Sequence, residues 1–386
     1  MYVNIAVLKE TRPGERRVAL VPSLTTKLVK LGARLHMQTG AAAGIRLADS
    51  AFGDVAFVAD RTALVADADV VLAVQPPSLA VVEAMKAGAI LISFVYAQNE
   101  PALVRRLLDK KVTCFAVERI PRISRAQAMD ALSSQSALAG YYAVELGATH
   151  MARVLPKITS AAGVIGPAKV LVMGLGVAGL EAIATAQRLG AVVEGYDVRP
   201  ETKEQALSLG ATFVDTGVSA AGKGGYARAL TAEEKARVDA ALTAHIQQSD
   251  LIITTAAIPG RPSPKLISKA QVAGMKAGAV IVDLSAEGGG NCEDTRPGET
   301  IEVGAVTILA PLNVPSLIGA DASELYAKNV ANLLALMLKD NVVTIDWTDE
   351  VLAKTALTHA GKLCDADAKS GGAGKSEPDA PPAKAA

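Results

Sequence analysis

Lys169 to Met173 is an apolar run that stops at Gly174-Leu175-Gly176-Val177-Ala178-Gly179, opens into the helical pattern LEAIATAQRLG, and is followed by VVEGYDVR with Asp197 near its end. Strand, glycine turn, helix, second strand and terminal carboxylate in that order make a βαβ unit of parallel strands, and this is how a chain builds a site for NAD. Each part has a physical task. Gly174 permits the tight turn out of the strand, Gly176 places no Cβ between backbone and pyrophosphate, and Gly179 lets the helix pack closely on the sheet. At Val177 the helix begins, and the free N–H groups of its first turn face the phosphates, where the helix dipole favours negative charge. Asp197 stands 18 residues after Gly179, where a carboxylate accepts from the ribose 2′- and 3′-hydroxyls of NAD and repels the 2′-phosphate of NADP. Arg199, just past it, is read as packing on the adenine or standing in solvent.

Two domains of ordinary size fit within 386 residues, each able to bury its own core. Lys and Arg number 39, as do Asp and Glu, so no basic excess points to nucleic acid. Half of the residues are hydrophobic but only 3% are aromatic. That balance belongs to Val, Ile, Leu and Ala in parallel strands with helices on both faces. Cys114, Cys292 and Cys364 are odd in number and far apart, with no disulfide framework and no zinc spacing, which suits a reducing compartment. MYVNIAVLKE reads as a first strand and not as a signal peptide. No apolar run reaches the roughly 18 residues that cross a bilayer, so direct membrane insertion is not expected.

The first part of the chain alternates strand candidates (NIAVL, ADVVLAV, GAILISFV, KVTCFAVE) with helical ones (SLTTKLVKL, LAVVEAMKA, EPALVRRLL). A long helical stretch from Ala131 to about Val154 leads into the glycine motif. Four more strand candidates follow at 211–214, 250–257, 279–286 and 306–311. The expected fold is therefore α/β, with two doubly wound, parallel-sheet, Rossmann-like domains separated by a cleft. The helical segment 323–340 crosses back and makes the first domain discontinuous: 1–132 plus 313–364, against 133–312 for the NAD-binding domain. Residues 365–386 hold almost no large apolar side chain and read as a flexible tail. Thr216 to Gly225 (TGVSAAGKGG) is either surface slack or a mobile lid, in which Gly225 would meet the cofactor and Tyr226 would lie over it.

Three further stretches carry a resemblance: AVLKETRPGERRVALVPS at the start, Arg122-Ile-Ser-Arg-Ala-Gln127-Ala-Met-Asp130-Ala-Leu-Ser133, and AVIVDLSAEGGGNCE with LNVPS. Together they resemble the family that joins alanine dehydrogenase to the NAD-binding component of proton-translocating nicotinamide nucleotide transhydrogenase, from about Val3 to Asp340. In the transhydrogenase branch, the resemblance implies, Arg122 holds the nicotinamide end of NAD(H), Asp130 pairs with Arg122, Ser133 bonds the carboxamide, and Gln127 reaches toward NADP(H).

Chemistry separates the branches. An amino-acid dehydrogenase moves a proton as well as a hydride, and needs a base and a cation for the substrate carboxylate. Where the alanine branch has Lys, His and Asp, this sequence has Gln75, Tyr96 and Glu287. None of His36, His150, His245 and His359 adjoins these motifs, and no substitute base is apparent. Hydride transfer between two nicotinamides needs only distance, orientation and exclusion of water. The resemblance thus implies NAD(H) on this chain and NADP(H) on a partner subunit, with membrane-spanning and NADP-binding transhydrogenase subunits as partners. It also implies a homodimer, and a cytoplasmic location, peripheral on the membrane through those subunits. An alanine- or opine-type dehydrogenase and a non-catalytic NAD sensor are the rivals.

Overall fold

The computed structural model describes residues 2–220, 228, 230–258, 261–339 and 341–364. The first sheet is built on β1 (Val3–Val7), β2 (Ala33–Gln38), β3 (Val55–Val58), β4 (Val70–Leu72), β5 (Ile90–Ser93) and β6 (Thr113–Ala116). These run parallel in the order β3-β2-β1-β4-β5-β6. A short hairpin, β7 (Ile158–Ser160) and β8 (Gly163–Ile165), projects before the second sheet. That sheet contains β9 (Lys169–Met173), β10 (Val192–Tyr196), β11 (Thr212–Phe213), β12 (Leu251–Thr254), β13 (Val280–Asp283), β14 (Thr300–Val303) and β15 (Val306–Leu309). Its order is β11-β10-β9-β12-β13-β15-β14, parallel except for β14 on the outer edge. Beyond it lie β16 (Leu338–Lys339) and β17 (Val342–Val343), a two-stranded ribbon, and β18 (Ala356–His359) and β19 (Lys362–Leu363). The last two return to the first sheet, antiparallel, beside β6.

The central strands are apolar throughout because both of their faces are covered: β4, β5, β6, β12 and β13 are wholly buried. Each sheet carries one apolar layer on each side. Both sheets reverse strand order beside their first strand, between β1 and β4 and between β9 and β12, and such a point opens a crevice at the carboxyl ends. The fold is thus the expected α/β pair of doubly wound sheets. Elements with weak patterns escape the sequence reading: β2 alternates buried with exposed or half-buried residues, and β18 and β19 are too short to stand out.

Two helices join the halves. Ala131–His150 ends four residues short of the expected Val154; its first residue belongs to the core of the first sheet, whereas Ala143 and Val144 belong to that of the second. Gly319–Met337 starts earlier than the expected 323 and packs on the first sheet, with the Tyr326 hydroxyl donating to the Ala73 carbonyl at 2.7 Å. Among the described residues no helix is long and apolar enough to cross a membrane. The tail at 365–386, Gly225 and Tyr226 lie outside the described residues.

Candidate functional site

The glycine turn leaves β9 at Gly174, whose φ of 97° falls in the left-handed region that glycine alone enters freely. A Cβ on Gly179 would overlap the Gly174 carbonyl oxygen, so Gly179 is what lets the helix Val177–Arg188 start so close to its strand. A Cβ on Gly176 would meet nothing within 4 Å: the space in front of the turn is open. Gly176 caps that helix without a side chain, and the first-turn N–H groups have no intrahelical acceptor. Val177 stands 45% exposed at the mouth. This open, donor-rich turn fits a dinucleotide pyrophosphate.

Asp197 ends the next strand, and its four acceptor positions are filled. Oδ2 accepts from Leu175 N–H at 2.7 Å and from Arg199 Nη2 at 2.6 Å, while Oδ1 accepts from Arg199 N–H and Nε, each at 2.9 Å. Arg199 therefore does not stand in solvent as the sequence reading allowed: its side chain is 17% exposed and folds back on Asp197, two residues away. Ribose hydroxyls reach this carboxylate once Arg199 moves off.

The stretch from Arg122 to Ser133 enters the helix Ala131–His150 through a 3-10 turn, Ser124–Met129. Ala126 and Met129 anchor it in the first core, Arg125 forms a two-bond pair with Asp349 at 2.9 and 2.6 Å, and Asn329 and Asn332 both donate to the Ala128 carbonyl at 3.0 Å. Arg122 and Gln127 are exposed. Asp130 is the helix N-cap: Oδ1 accepts from Ser133 N–H at 2.9 Å and Oδ2 from the Ser133 hydroxyl at 2.5 Å. Among the described residues its bonds thus run to Ser133 and not to Arg122. Further along the same helix a Cβ on Gly140 would overlap the Ala178 carbonyl, so the two helices touch there. Seven residues separate Ser133 from Gly140, about 10 Å at 1.5 Å per residue, so one helix spans from the Arg122 stretch to the glycine turn.

Sequence reasoning missed a polar cluster that meets at the helix joining the halves. Arg17 forks onto Glu15, Nε to Oε1 at 2.8 Å and Nη2 to Oε2 at 2.7 Å, with side-chain exposures of 4% and 0%. Arg17 also donates to Gln135 and Asn313; Glu15 accepts from Gln75, Asn313 and Ser316. The Asn313 N–H donates to Glu287 at 2.9 Å. Burial opposes ionisation of Glu15, but the Arg17 hydrogen bonds and charge outweigh it and hold the carboxyl at about 2. Glu10 differs: burial pushes its carboxyl up to about 7, against the Val74 and Gln75 N–H groups that it caps at the end of β4. This corrects the expectation that no group near Gln75 titrates near neutrality. Glu118 caps β5 in the same way through Val95 and Tyr96, and burial raises its pKa too. Two carboxylates thereby occupy the crevice ends of the first sheet, where the second sheet has its open glycine turn.

The histidines lie elsewhere. His245 meets Glu194 at 2.7 Å, His359 meets Thr113 at 3.0 Å under Trp347, His150 meets the Leu146 carbonyl, and His36 lies within β2.

Comparison with known proteins agrees with this arrangement. The model of the alanine dehydrogenase/PNT N-terminal domain matches residues 6–139, and that of the alanine dehydrogenase/PNT C-terminal domain matches residues 143–366. The first of the chains that make up the NAD(P) transhydrogenase subunit alpha of Rhodospirillum rubrum is 43% identical, over 94% of this chain and 97% of its own length. The alanine dehydrogenase of Mycobacterium tuberculosis is 29% identical over 94% of each chain. A solved transhydrogenase from Sinorhizobium meliloti superposes with a TM-score of 0.81 at 40% identity, covering 93% of this chain and 98% of that one. The chain belongs to the alanine dehydrogenase/PNT family.

Proposed function

We propose that this chain is the NAD(H)-binding subunit of a proton-translocating transhydrogenase, in which hydride passes directly between NADH on this chain and NADP⁺ on a partner subunit. The observation that carries the reading is the closed Glu15–Arg17 pair. Where Gln75, Glu287 and Asn313 converge, the cation that could hold a substrate carboxylate is already neutralised at 2.7 Å. An amino-acid dehydrogenase needs that cation; transfer between two nicotinamide rings does not.

Gly174, Gly176, Val177 and Gly179 cradle the pyrophosphate, Asp197 takes the ribose hydroxyls, and Arg199 and Gly225 flank the adenosine end. Arg122, Asp130 and Ser133 position the nicotinamide end, Gln127 reaches toward NADP(H), and Tyr226 closes over the site. Bound NADH supplies the hydride; the protein supplies orientation and a dry cleft. The domains divide as 1–132 with 313–364, and 133–312, with 365–386 a flexible tail.

Proton coupling belongs to membrane-spanning subunits, which hold this chain at the cytoplasmic face as a peripheral component. The hairpin of β7 and β8 supports a homodimer: all of its residues are exposed, among them Val164 at 61% and Ile165 at 52%, an apolar edge of the kind that a second copy covers.

Stopped-flow mixing of the chain with NADPH, an NAD⁺ analogue and the NADP-binding partner tests the reading. Hydride transfer in that mixture, with no NADH formed from NAD⁺ and L-alanine by the chain alone, is the expected result. Alanine turnover would establish the dehydrogenase instead, and absence of both reactions a sensor.

A further inference from the structure

The peptide unit between Gly174 and Leu175 is held at both ends. Its carbonyl accepts from the Thr255 hydroxyl at 2.8 Å, and its N–H donates to Asp197 Oδ2 at 2.7 Å. The two groups of a trans peptide point in opposite directions, so these bonds together fix the rotation of one rigid plane. That plane is the last before Gly176 and the helix start. The carbonyl is closely packed, with Gly179 so near that a Cβ there would overlap it, so the Thr255 hydroxyl cannot be replaced by a water without a shift of the turn.

Thr255 is itself backed by a buried amide. Asn291, 0% exposed, accepts from Ala256 N–H at 3.0 Å and donates to the Ala256 carbonyl at 2.8 Å, a two-bond grip on the residue after Thr255. The Ser285 hydroxyl donates to the same carbonyl at 2.9 Å, and Asn291 N–H is anchored on the buried Asp283 at 2.7 Å. There is no slack at the contact: a Cβ on Gly174 would stand 2.8 Å from Thr255 Oγ1 and 2.9 Å from Ala256 N.

We propose that Thr255 is a positioning residue for the dinucleotide: its hydroxyl sets the tilt of the Gly174–Leu175 plane and so aims the N–H groups of the helix start at the pyrophosphate. The proposal rests on the reading of this turn as the NAD(H) site. Loss of the hydroxyl leaves a packed carbonyl without a partner, and the plane rotates to regain one, carrying the turn with it.

The test uses the full chain, NADH titrated by its own emission, and steady-state transfer in the complex reassembled with its NADP-binding and membrane subunits. Thr255→Val, which keeps the shape and loses the donor, is expected to raise the NADH Kd and KM about tenfold and to hold kcat within about twofold. Thr255→Ser restores the donor and returns both to within about twofold. A merely structural role would lower the melting temperature without splitting KM from kcat. Unchanged NADH affinity in Thr255→Val, a fall confined to kcat, or failure of Thr255→Ser to rescue overturns the proposal while leaving the NAD(H) reading in place. Absence of NADH binding by the unmodified chain overturns that reading and the proposal with it. Should Thr255→Val not fold, Thr255→Ala gives the same comparison.

Discussion

Arg199 closes on Asp197 through three hydrogen bonds of 2.6 to 2.9 Å, and the fourth acceptor position of that carboxylate takes Leu175 N–H. A carboxylate offers about four such positions, so none is left for a ligand. Arginine and ribose hydroxyls are thus competitors for one group. The guanidinium that leaves Asp197 when NAD(H) enters is also the cation nearest to where a 2′-phosphate would lie.

Arg199→Ala therefore acts on both cofactors. With the competitor gone, NADH binds more tightly; with the cation gone, Asp197 repels a 2′-phosphate unscreened. The ratio of NADPH to NADH dissociation constants is expected to rise about fivefold, equivalent to about 1 kcal/mol, as read by fluorescence titration of each. A ratio that falls would place Arg199 on the cofactor instead of on Asp197.

The Glu15–Arg17 pair is a second closed fork, with almost no solvent on either side chain. Breaking one partner of such a pair leaves the other charge buried without compensation. Glu15→Gln is expected to lower the unfolding free energy by about 3 kcal/mol in urea, and pairing it with Arg17→Met should restore part of the loss. A midpoint that does not move would mean that Gln75, Asn313 and Gln135, not the ion pair, fix this junction.

These two forks also show what can be read in the sequence and what cannot. The glycine turn and Asp197 are legible because every part of the unit lies between Lys169 and Asp197, and its patterns are local. Arg17 sits in ETRPGERRVAL, where three arginines look like a solvated run. Gln135 and Asn313 bury it, from 118 and 296 residues away, and no periodicity announces such partners. Asp197 and Arg199 are only two residues apart, yet whether the fork closes depends on the backbone turn after β10. Asp130, expected opposite Arg122, serves as a helix cap, since Ser133 N–H lies one turn away and needs an acceptor.

Glu10 should make stability fall as the solution turns alkaline. Burial raises its pKa from 4.5 to about 7 in the fold, so between those values the native chain holds a proton that the unfolded chain has lost. The folded state is thus disfavoured progressively from pH 4.5 to 7, and the penalty is complete above 7. Glu10→Gln removes it: the melting temperature of the variant, relative to the unmodified chain, should climb from pH 5 to pH 8. Glu15 has the opposite sign. Held at about 2, it contributes stability that is present above 4.5 and lost as pH falls toward 2, so the two effects occupy separate windows. Parallel curves for Glu10→Gln and the unmodified chain would show that Glu10 is ionised throughout.

Asp130 is where capping and chemistry can be pulled apart. Its Oδ1 caps the 20-residue helix through Ser133 N–H, and its Oδ2 takes the Ser133 hydroxyl, the same hydroxyl proposed to bond the carboxamide of the nicotinamide. Asparagine caps about as well as aspartate, whereas alanine forfeits about 1 kcal/mol. Asp130→Asn should accordingly leave the urea midpoint where it is, and Asp130→Ala should lower it. Both variants remove the charge that orients Ser133, so both are expected to slow hydride transfer at least tenfold in the reassembled complex, with NADH affinity changed far less. If Asp130→Asn transfers hydride at the full rate, the carboxylate does no more than begin a helix, and the nicotinamide end must be held by Arg122 and Ser133 without it.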